Sequence, residues 1–281
     1  MVNRREFLAG SAAVLGCVAI NGFAEATPRK LGVQLYTVRD EAEKDLPKVL
    51  QSIHSIGYAE VETYWNVYTH PAPQLKKMIT DHGLQVHSGH FNYDGLEQKL
   101  DYAKELGVTY MICPMLPEAM WTSLDGFKKA ADQFNVWGEK VQKMGMQFGF
   151  HNHNYEFRKF GETTGFETLM SRTDSKLVCL EMDCYWITQA GRDPVEMMDK
   201  LGPRVKALHL KDRKSGFATS QQLNAAAKHF TPVGTGSIDY KKVLAAADRH
   251  RIQRLFVEQD FCEGPPTEAL RTSYKNLEAI S

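Results

Sequence analysis

Acidic residues and histidines recur in this chain directly after short apolar runs, at the positions where strands would end. In the second half of the chain Asp183, His209 and Glu258 each close or follow such a run. Consecutive strands of a barrel or sheet would bring these three side chains together. Carboxylates with one imidazole suit Mn²⁺, Mg²⁺, Co²⁺ or Zn²⁺. The three residues therefore predict a site for one divalent metal ion.

A fourth ligand is expected from the preceding run, which ends in His151-Asn152-His153-Asn154-Tyr155-Glu156. His151, His153 and Glu156 compete for this role. Glu156 is slightly favoured because its longer side chain can fold inward, whereas His151 has the better strand-end position. A carboxylate or imidazole held beside a metal can also move a proton. Glu156, His151 and Glu258 are therefore the predicted catalytic acid and base groups.

Further polar and aromatic residues follow apolar runs and would share the same rim. Hydroxyl groups of a small polar substrate need hydrogen-bonding partners, and an apolar face of such a substrate can stack on aromatic side chains. The residues predicted to bind substrate are Gln34, Tyr36, Glu62, His90, His153, Trp186 and Lys211.

The elements that would position these residues alternate regularly along the chain. Eight short apolar runs predict strands, at residues 31–36, 59–63, 84–88, 110–114, 146–151, 177–183, 205–210 and 255–258. Amphipathic stretches between them predict helices near 44–56, 73–82, 94–106, 123–144, 165–172, 193–200, 222–230, 239–250 and 266–279. Eight strand–helix units in about 255 residues are typical of a (β/α)8 TIM barrel, an α/β fold.

A doubly wound open sheet is the competing architecture. It would more often carry a glycine-rich phosphate loop after its first strand, and no such glycines follow Gln34. Another glycine-rich segment, at residues 233–237, is more simply a turn before a helix capped by Ser237 or Asp239. The barrel is therefore the predicted fold, as a single domain over residues 27–281.

The charge balance and the cysteine content disfavour several classes of function. Lys and Arg number 34, as do Asp and Glu, so the formal net charge is zero. A nucleic-acid binder would need a basic stripe. Four cysteines remain after the N-terminal segment, Cys113, Cys179, Cys184 and Cys262, without a CxxC pair. We therefore expect buried thiols, and neither a disulfide framework nor a zinc ribbon.

The N-terminus predicts export. Arg4-Arg5 precede an uncharged stretch from Phe7 to Ile20, and Ala24-Glu25-Ala26 forms a small-x-small cleavage motif. The apolar stretch is shorter than the ~20 residues of a membrane span. Residues 1–26 are therefore interpreted as a twin-arginine signal peptide of a periplasmic protein. A lipoprotein attached through Cys17 is the alternative.

Several motifs together resemble the sugar phosphate isomerase/epimerase group of the xylose isomerase-like TIM barrels. They are Gly32-Val33-Gln34-Leu35-Tyr36-Thr37-Val38-Arg39, residues 150–157, Glu181-Met182-Asp183-Cys184-Tyr185-Trp186, His209-Leu210-Lys211-Asp212 and Val257-Glu258-Gln259-Asp260. The resemblance implies a divalent metal held by Glu, Asp, His and Glu, here Glu156 or His151 with Asp183, His209 and Glu258. Many relatives carry a glutamate where His151 stands. A homodimer is a further family-level expectation.

The function predicted from these observations is that of a metal-dependent isomerase or epimerase of an unphosphorylated sugar or keto-sugar, working through an enediolate. The runner-up is a lyase or hydrolase that cleaves 3-keto-glycosides at the same site. A DNA-repair endonuclease is disfavoured by the neutral charge. The alternative outside enzymes, a periplasmic sugar-binding protein, would need two open-sheet lobes.

Overall fold

The computed structural model describes residues 29–223 and 228–280, so the predicted signal peptide and Cys17 lie outside the described residues. Its longer strands are β1 (Leu31–Gln34), β2 (Glu60–Thr63), β3 (Gln85–His90), β4 (Tyr110–Cys113), β5 (Gln147–His151), β8 (Val178–Asp183), β9 (Val205–Leu210) and β12 (Arg254–Val257). Two-residue strands in the loops form two antiparallel pairs, β6 (Lys159–Phe160) with β7 (Thr163–Thr164) and β10 (Asp212–Arg213) with β11 (Phe230–Thr231).

The eight longer strands are parallel and close into a barrel in the order β1-β12-β9-β8-β5-β4-β3-β2. The helices around it are α1 (Arg39–Ile56), α2 (Ala72–Asp81), α3 (Leu100–Leu106), α4 (Glu118–Trp121), α5 (Leu124–Lys143), α6 (Gly165–Arg172), α7 (Cys184–Gln189), α8 (Pro194–Leu201), α9 (Tyr240–Arg249) and α10 (Pro266–Ile280). The predicted TIM barrel is confirmed. A closed barrel also lacks the two open-sheet lobes that the sugar-binding-protein alternative required.

Several predicted boundaries differ from the observed ones, each for a local reason. The first strand ends at Gln34 rather than residue 36, because the side chain of Gln34 accepts a hydrogen bond from the amide of Tyr36 and a 3-10 turn begins. Helix α1 begins five residues earlier than predicted and is kinked at Asp45, two residues before Pro47, which cannot supply a helical N–H.

Two further predicted helices differ. The stretch predicted as a helix from residue 94 becomes α3 only at Leu100, because Gly95 takes a left-handed φ of 83° that interrupts the helix. The predicted helix at 222–230 is partly wrong, since Phe230 belongs to β11. Residues 224–227 of that prediction lie outside the described residues.

Close backbone approach inside the barrel requires glycine at two positions. A Cβ on Gly32 of β1 would lie 2.5 Å from the ring of Phe256 in β12. A Cβ on Gly149 of β5 would lie 2.5 Å from Ile112 of β4. The barrel interior is therefore filled by neighbouring side chains, and the strand spacing is fixed by packing as well as by hydrogen bonds.

The main apolar core lies between the barrel and the helices. Leu50 and Ile53 of α1 and Phe127 and Phe134 of α5 are fully buried against the strands. Cys113, Cys179 and Cys184 are buried free thiols, as expected, and Cys262 is half-buried. Within the described residues, no helix has both the length and the apolar character needed to cross a bilayer.

Candidate active site

The pairing register of the strands places the site residues at matching heights along the barrel axis. Gln34 pairs with Glu62 across β1 and β2, His151 with Glu181 across β5 and β8, and Asp183 with His209 across β8 and β9. Glu258 follows β12 directly, and its amide donates to the carbonyl of Leu210. The carboxyl ends of the strands therefore deliver buried polar side chains to one end of the barrel, as in other TIM barrels.

The deeper part of this cluster consists of two glutamates among three histidines. Glu181 Oε2 lies 2.7 Å from His90 Nε2, 3.2 Å from His151 Nδ1 and 3.2 Å from His209 Nε2. Glu62 Oε2 lies 2.6 Å from His209 Nε2 and accepts a 2.7 Å hydrogen bond from Gln34. We call Glu62, His90 and Glu181 the deep layer.

The part nearer the mouth contains Asp183, Glu258 and Asp260 around Lys211. The Lys211 ammonium lies 2.7 Å from Glu258 Oε2, 2.8 Å from Asp260 Oδ1 and 3.2 Å from Asp183 Oδ2. His209 Nδ1 lies 2.7 Å from the same Glu258 oxygen and 3.9 Å from Asp183 Oδ2. We call Asp183, Lys211, Glu258 and Asp260 the mouth layer.

Two histidines connect the layers, each through both ring nitrogens. His209 presents Nε2 to Glu62 and Nδ1 to Glu258. His151 presents Nδ1 to Glu181, while its Nε2 lies 3.8 Å from Asp183 Oδ2. Metal-binding histidines commonly have one nitrogen on the metal and the other hydrogen-bonded to a carboxylate that fixes the ring. In His151 and His209 a carboxylate of the deep layer holds one nitrogen, which fits this arrangement, and the other nitrogen faces the mouth layer.

The donor set fits a divalent cation. Ligand atoms of Asp183, His209 and Glu258 lie within 4.8 Å of one another, and so do those of His90, His151, Glu181 and His209. Among the described residues, the buried oxygens Glu62 Oε1, Glu181 Oε1 and Asp183 Oδ2 have no hydrogen-bond partner of good geometry, although Lys211 lies near the last of these. Buried carboxylates with unpaired oxygens need a positive charge nearby.

Glu156 lies apart from these groups. It sits in the 3-10 turn Tyr155–Phe157, and both carboxylate oxygens accept from the backbone amide of His153 at 3.0 Å. Neither metal-competent group includes Glu156. Of the three competing residues, the structure therefore brings His151 to Asp183 and His209, and His153 is in neither metal-competent group. The structure leaves Glu156 bonded to its own turn, against the slight preference for Glu156 in the sequence.

Burial and neighbouring charges set the protonation states. Burial lowers the pKa of His151 to about 3, helped by His209, which leaves a neutral imidazole with a free lone pair. Burial raises the pKa of Asp183 to about 6, against the lowering effect of Lys211. Burial would also raise the pKa of Glu258, but Lys211 and His209 hold it below its usual value. Glu258 is therefore ionised at neutral pH.

A cavity of about 590 Å³ opens above the mouth layer. Of the residues predicted from the sequence, it is lined by Tyr36, His90, His151, His153, Trp186, Lys211 and Glu258. Gln34, Glu62, Asp183, His209 and Glu156 are buried and do not line it. The wall residues are thus placed to contact a substrate, whereas Gln34 and Glu62 act only through other side chains.

Two acidic residues of this site, Glu181 and Asp260, are not among the metal ligands or substrate-binding residues predicted from the sequence. Glu181 contacts three histidines, and Asp260 contacts Lys211. Glu181 stands two residues before Asp183 on the same strand, so both side chains point to the same face of the barrel. Asp260 stands two residues after Glu258. The same period of two could have identified both from the sequence.

The glycine-rich segment at residues 233–237 folds around a carboxylate of the chain itself. Asp212 accepts hydrogen bonds from the amides of Gly234 and Gly236 at 2.9 Å and of Ile238 at 3.2 Å. A Cβ on Gly236 would lie 2.2 Å from Asp212 Oδ1. Asp212 therefore occupies the amide cradle, and the cap of helix α9 is Asp239.

Curated proteins similar to this chain include inosose dehydratases. An inosose dehydratase of Clostridium beijerinckii is 23% identical over 219 residues, which cover 67% of this chain and 73% of that relative. An inosose dehydratase of Bacillus thuringiensis is 30% identical over 165 residues, and the match spans about half of its length (53%) and 55% of this chain.

Solved structures and a family model cover more of the chain. A sugar phosphate isomerase/epimerase from Parabacteroides distasonis superposes with a TM-score of 0.74 at 25% identity, covering 91% of this chain and 98% of that one. The model of the xylose isomerase-like TIM barrel matches residues 50–280. The chain belongs to the xylose isomerase-like TIM barrel family.

Proposed function

We propose that this chain is a divalent-metal-dependent enzyme that removes a proton beside the ketone of an unphosphorylated keto-sugar or keto-cyclitol. One observation carries the proposal: His151, Asp183, His209 and Glu258 converge at the base of a cavity whose wall includes the neutral His153. The reacting group and the proton acceptor therefore have places within one cavity.

The proposed ligands are His151, Asp183, His209 and Glu258. Nitrogen and oxygen donors of this kind suit Mn²⁺, Co²⁺ or Zn²⁺, and Mg²⁺ less well because of the two imidazoles. When bound, such an ion polarises a substrate carbonyl and so acidifies the adjacent C–H. Glu181 and Glu62 hold the two imidazoles in orientation through their second nitrogens.

His153 is the proposed proton acceptor. Its pKa lies well below the usual histidine value because of burial first, and because of His151 and Lys211 next, so the imidazole is neutral. Among the described residues, no hydrogen bond engages its Nδ1. The ring lies 5.1 Å from Trp186, centroid to centroid, on the cavity wall. A neutral imidazole on the wall can accept a proton from a bound substrate.

Lys211 is the proposed stabiliser of the negative oxygen that forms when the proton leaves. Its ammonium is buried, lines the cavity and is held by three carboxylates, so it needs no reorganisation during the reaction. A preorganised cation in a water-poor site stabilises developing negative charge strongly. Asp260, bonded to Lys211, keeps the ammonium at the cavity floor.

The substrate is proposed to be uncharged. Arg39 and Lys211 are the cationic side chains among the lining residues of this cavity, and both already have partners. The amide cradle of Gly234 and Gly236, which would otherwise suit a phosphate, is filled by Asp212. The proposed location is the periplasm, on the basis of the twin-arginine signal predicted at residues 1–26.

The proposed outcome is β-elimination, because the curated relatives are named inosose dehydratases. After the α-proton moves to His153, the C–O bond of the β-hydroxyl breaks and an unsaturated ketone forms. The leaving hydroxyl takes up the proton held by His153 and departs as water, which restores the neutral imidazole. Isomerisation or epimerisation, predicted from the sequence, is the second candidate, supported by the name of the Parabacteroides distasonis structure.

The test is incubation of metal-reconstituted protein with an inosose and with 3-keto-glucose in deuterated water. We expect the product mass to fall by one water, and deuterium to enter the remaining substrate beside the ketone through reversible removal of the proton. His153→Gln should lose the exchange, whereas His54→Gln, at an exposed surface histidine, should retain it. Exchange without loss of mass would favour the isomerase. Neither exchange nor loss of water with either compound would refute the proposal.

A further inference from the structure

The cavity wall changes character with depth. Its floor is polar and buried, and includes His151, His153, Lys211 and Glu258. Its outer wall is largely apolar, and includes Trp65, Pro114, Met115, Leu223, Phe230 and Phe261. A substrate that reacts on the floor therefore extends outward between aromatic and aliphatic side chains.

Aromatic pairs make up much of this outer wall. The rings of Tyr36 and Trp65 lie 5.6 Å apart, centroid to centroid, and those of Trp186 and Phe230 lie 5.7 Å apart. Trp186 is buried, and its ring lies 5.9 Å from the Lys211 ammonium. The aromatic wall thus begins beside the reacting groups and continues outward from them.

Two lining residues leave large apolar side chains exposed at the rim. Met115 is 38% exposed and Phe261 is 46% exposed. Few large hydrophobic side chains among the described residues are exposed to this degree, and these two lie together on one cavity. Exposed apolar side chains grouped at a cavity mark a binding surface more often than isolated ones do.

The cavity also exceeds the size of one sugar ring. If each of about twelve heavy atoms took the ~30 Å³ share of a liquid water molecule, the ring would fill roughly 360 Å³. The cavity measures about 590 Å³. A second group attached to the ring therefore has room on the outer wall.

The outer wall has few hydrogen-bonding groups for that second group. Its polar groups are those of Asn92 and Arg39, the Tyr36 hydroxyl and the Trp65 indole N–H, with Asp260 already paired to Lys211. The Arg39 guanidinium stacks 4.3 Å from the Tyr36 ring centroid while it donates to the Tyr36 carbonyl. A second sugar would bring several hydroxyl groups, and each one left without a partner would lose water at a cost in free energy. An apolar group has no such requirement.

We propose that the outer wall is a subsite for an apolar aglycone, so that the substrate is a glycoside carrying an aromatic or aliphatic group on the reacting sugar. This inference rests on the proposed function for the position of the sugar ring. Phe261 and Met115 at the rim, with Trp65, contact the aglycone. The ring hydroxyls stay at the polar floor.

The test compares three probes by isothermal titration calorimetry with metal-reconstituted protein: phenyl β-glucopyranoside, methyl β-glucopyranoside and cellobiose. We expect the phenyl glycoside to bind roughly tenfold more tightly than the other two, from the apolar area that the phenyl ring buries. Phe261→Ser and Met115→Ser should each reduce this preference at least about threefold and leave the affinity for the methyl glycoside unchanged. Phe217→Ser is the matched control, because Phe217 is 45% exposed and lies outside the cavity lining.

Each other outcome overturns the inference. Equal affinity for the phenyl and methyl glycosides, including no binding of either, would remove the apolar subsite, and tighter binding of cellobiose would assign the space to a second sugar. A phenyl preference unaffected by Phe261→Ser would place the phenyl ring elsewhere. A further outcome combines no phenyl preference with a molar mass, measured by sedimentation, that is lower for Phe261→Ser than for the unmutated protein. That outcome would mean that the rim binds a second copy of the chain. Failure of the proposed reaction can be told apart from failure of the subsite. If only the reaction is wrong, deuterium exchange is absent while the phenyl glycoside still binds more tightly than the methyl glycoside.

Discussion

Replacing Lys211 with methionine should destabilise the metal-free protein by about 3–5 kcal/mol, the usual cost of removing one partner from a buried ion pair. The Lys211 side chain is 2% exposed and lies 2.7–3.2 Å from carboxylate oxygens of Glu258, Asp260 and Asp183. At an effective dielectric constant of about 20, each contact contributes roughly 5–6 kcal/mol of attraction before the several kcal/mol of ammonium desolvation is subtracted. The variant leaves three carboxylates close together without that cation.

The assay is thermal unfolding with and without a divalent metal. For a chain of this size the loss corresponds to a fall in Tm of roughly 6–20 °C in the presence of chelator. Saturating Co²⁺ or Mn²⁺ should at least halve the difference from the unmutated protein, because the ion neutralises the same carboxylates and stabilises the folded state by mass action.

Lys214→Met is the matched control. Lys214 pairs with Glu263, whose side chain is 73% exposed, so its loss should change stability by no more than about 1 kcal/mol. If Lys211→Met lowers Tm no more than Lys214→Met does, the mouth layer does not depend on this ammonium. If metal leaves the difference unchanged, the ion does not bind where we place it.

Three further changes test other parts of the site. Glu181→Gln should weaken Co²⁺ binding about 10–100-fold in an absorption titration, since the glutamate orients His151, and an unchanged Kd would contradict that role. Burial raises the pKa of Glu156 to about 8 from 4.5, so the contribution of this group to folding stability is greatest below pH 4.5 and falls by up to about 5 kcal/mol as the pH rises to 8. Glu156→Gln should remove this fall in urea unfolding at pH 5 and pH 8, and parallel pH curves for the two proteins would show the reasoning to be wrong. Asp212→Ala leaves the amides of Gly234, Gly236 and Ile238 unpaired and should cost about 2–4 kcal/mol in denaturant unfolding, where a loss below about 1 kcal/mol would argue against the cradle.

The barrel was predictable because the pattern of a short apolar run followed by an amphipathic stretch is repeated eight times. Most residues of the eight barrel strands are buried, and most predicted strands lie within two residues of those observed. Helix α3 was predicted to begin too early, because amphipathic spacing continues back through Gly95, whose left-handed backbone conformation is incompatible with a helix there. Residue type predicts local backbone conformation of this kind only weakly.

The sequence predicts which residues form the site better than it predicts how they are arranged. Asp183, His209 and Glu258 meet because adjacent parallel strands place their ends together. The choice between His151 and Glu156 depended on where a turn directs a side chain, and the amide of His153 captures the Glu156 carboxylate. The link from Glu62 to His209 joins residues 147 positions apart and follows only from closure of the barrel.

Metal analysis of four matched proteins tests the central claim most directly. The unmutated protein, His151→Ala, Asp183→Asn and Glu156→Gln would be reconstituted with Mn²⁺, Co²⁺ or Zn²⁺, freed of excess metal and measured by mass spectrometry. We predict about one ion per chain in the unmutated protein and in Glu156→Gln, and loss of the ion in Asp183→Asn and His151→Ala. No metal in the unmutated protein, or an ion lost in Glu156→Gln but kept in His151→Ala, would contradict the account.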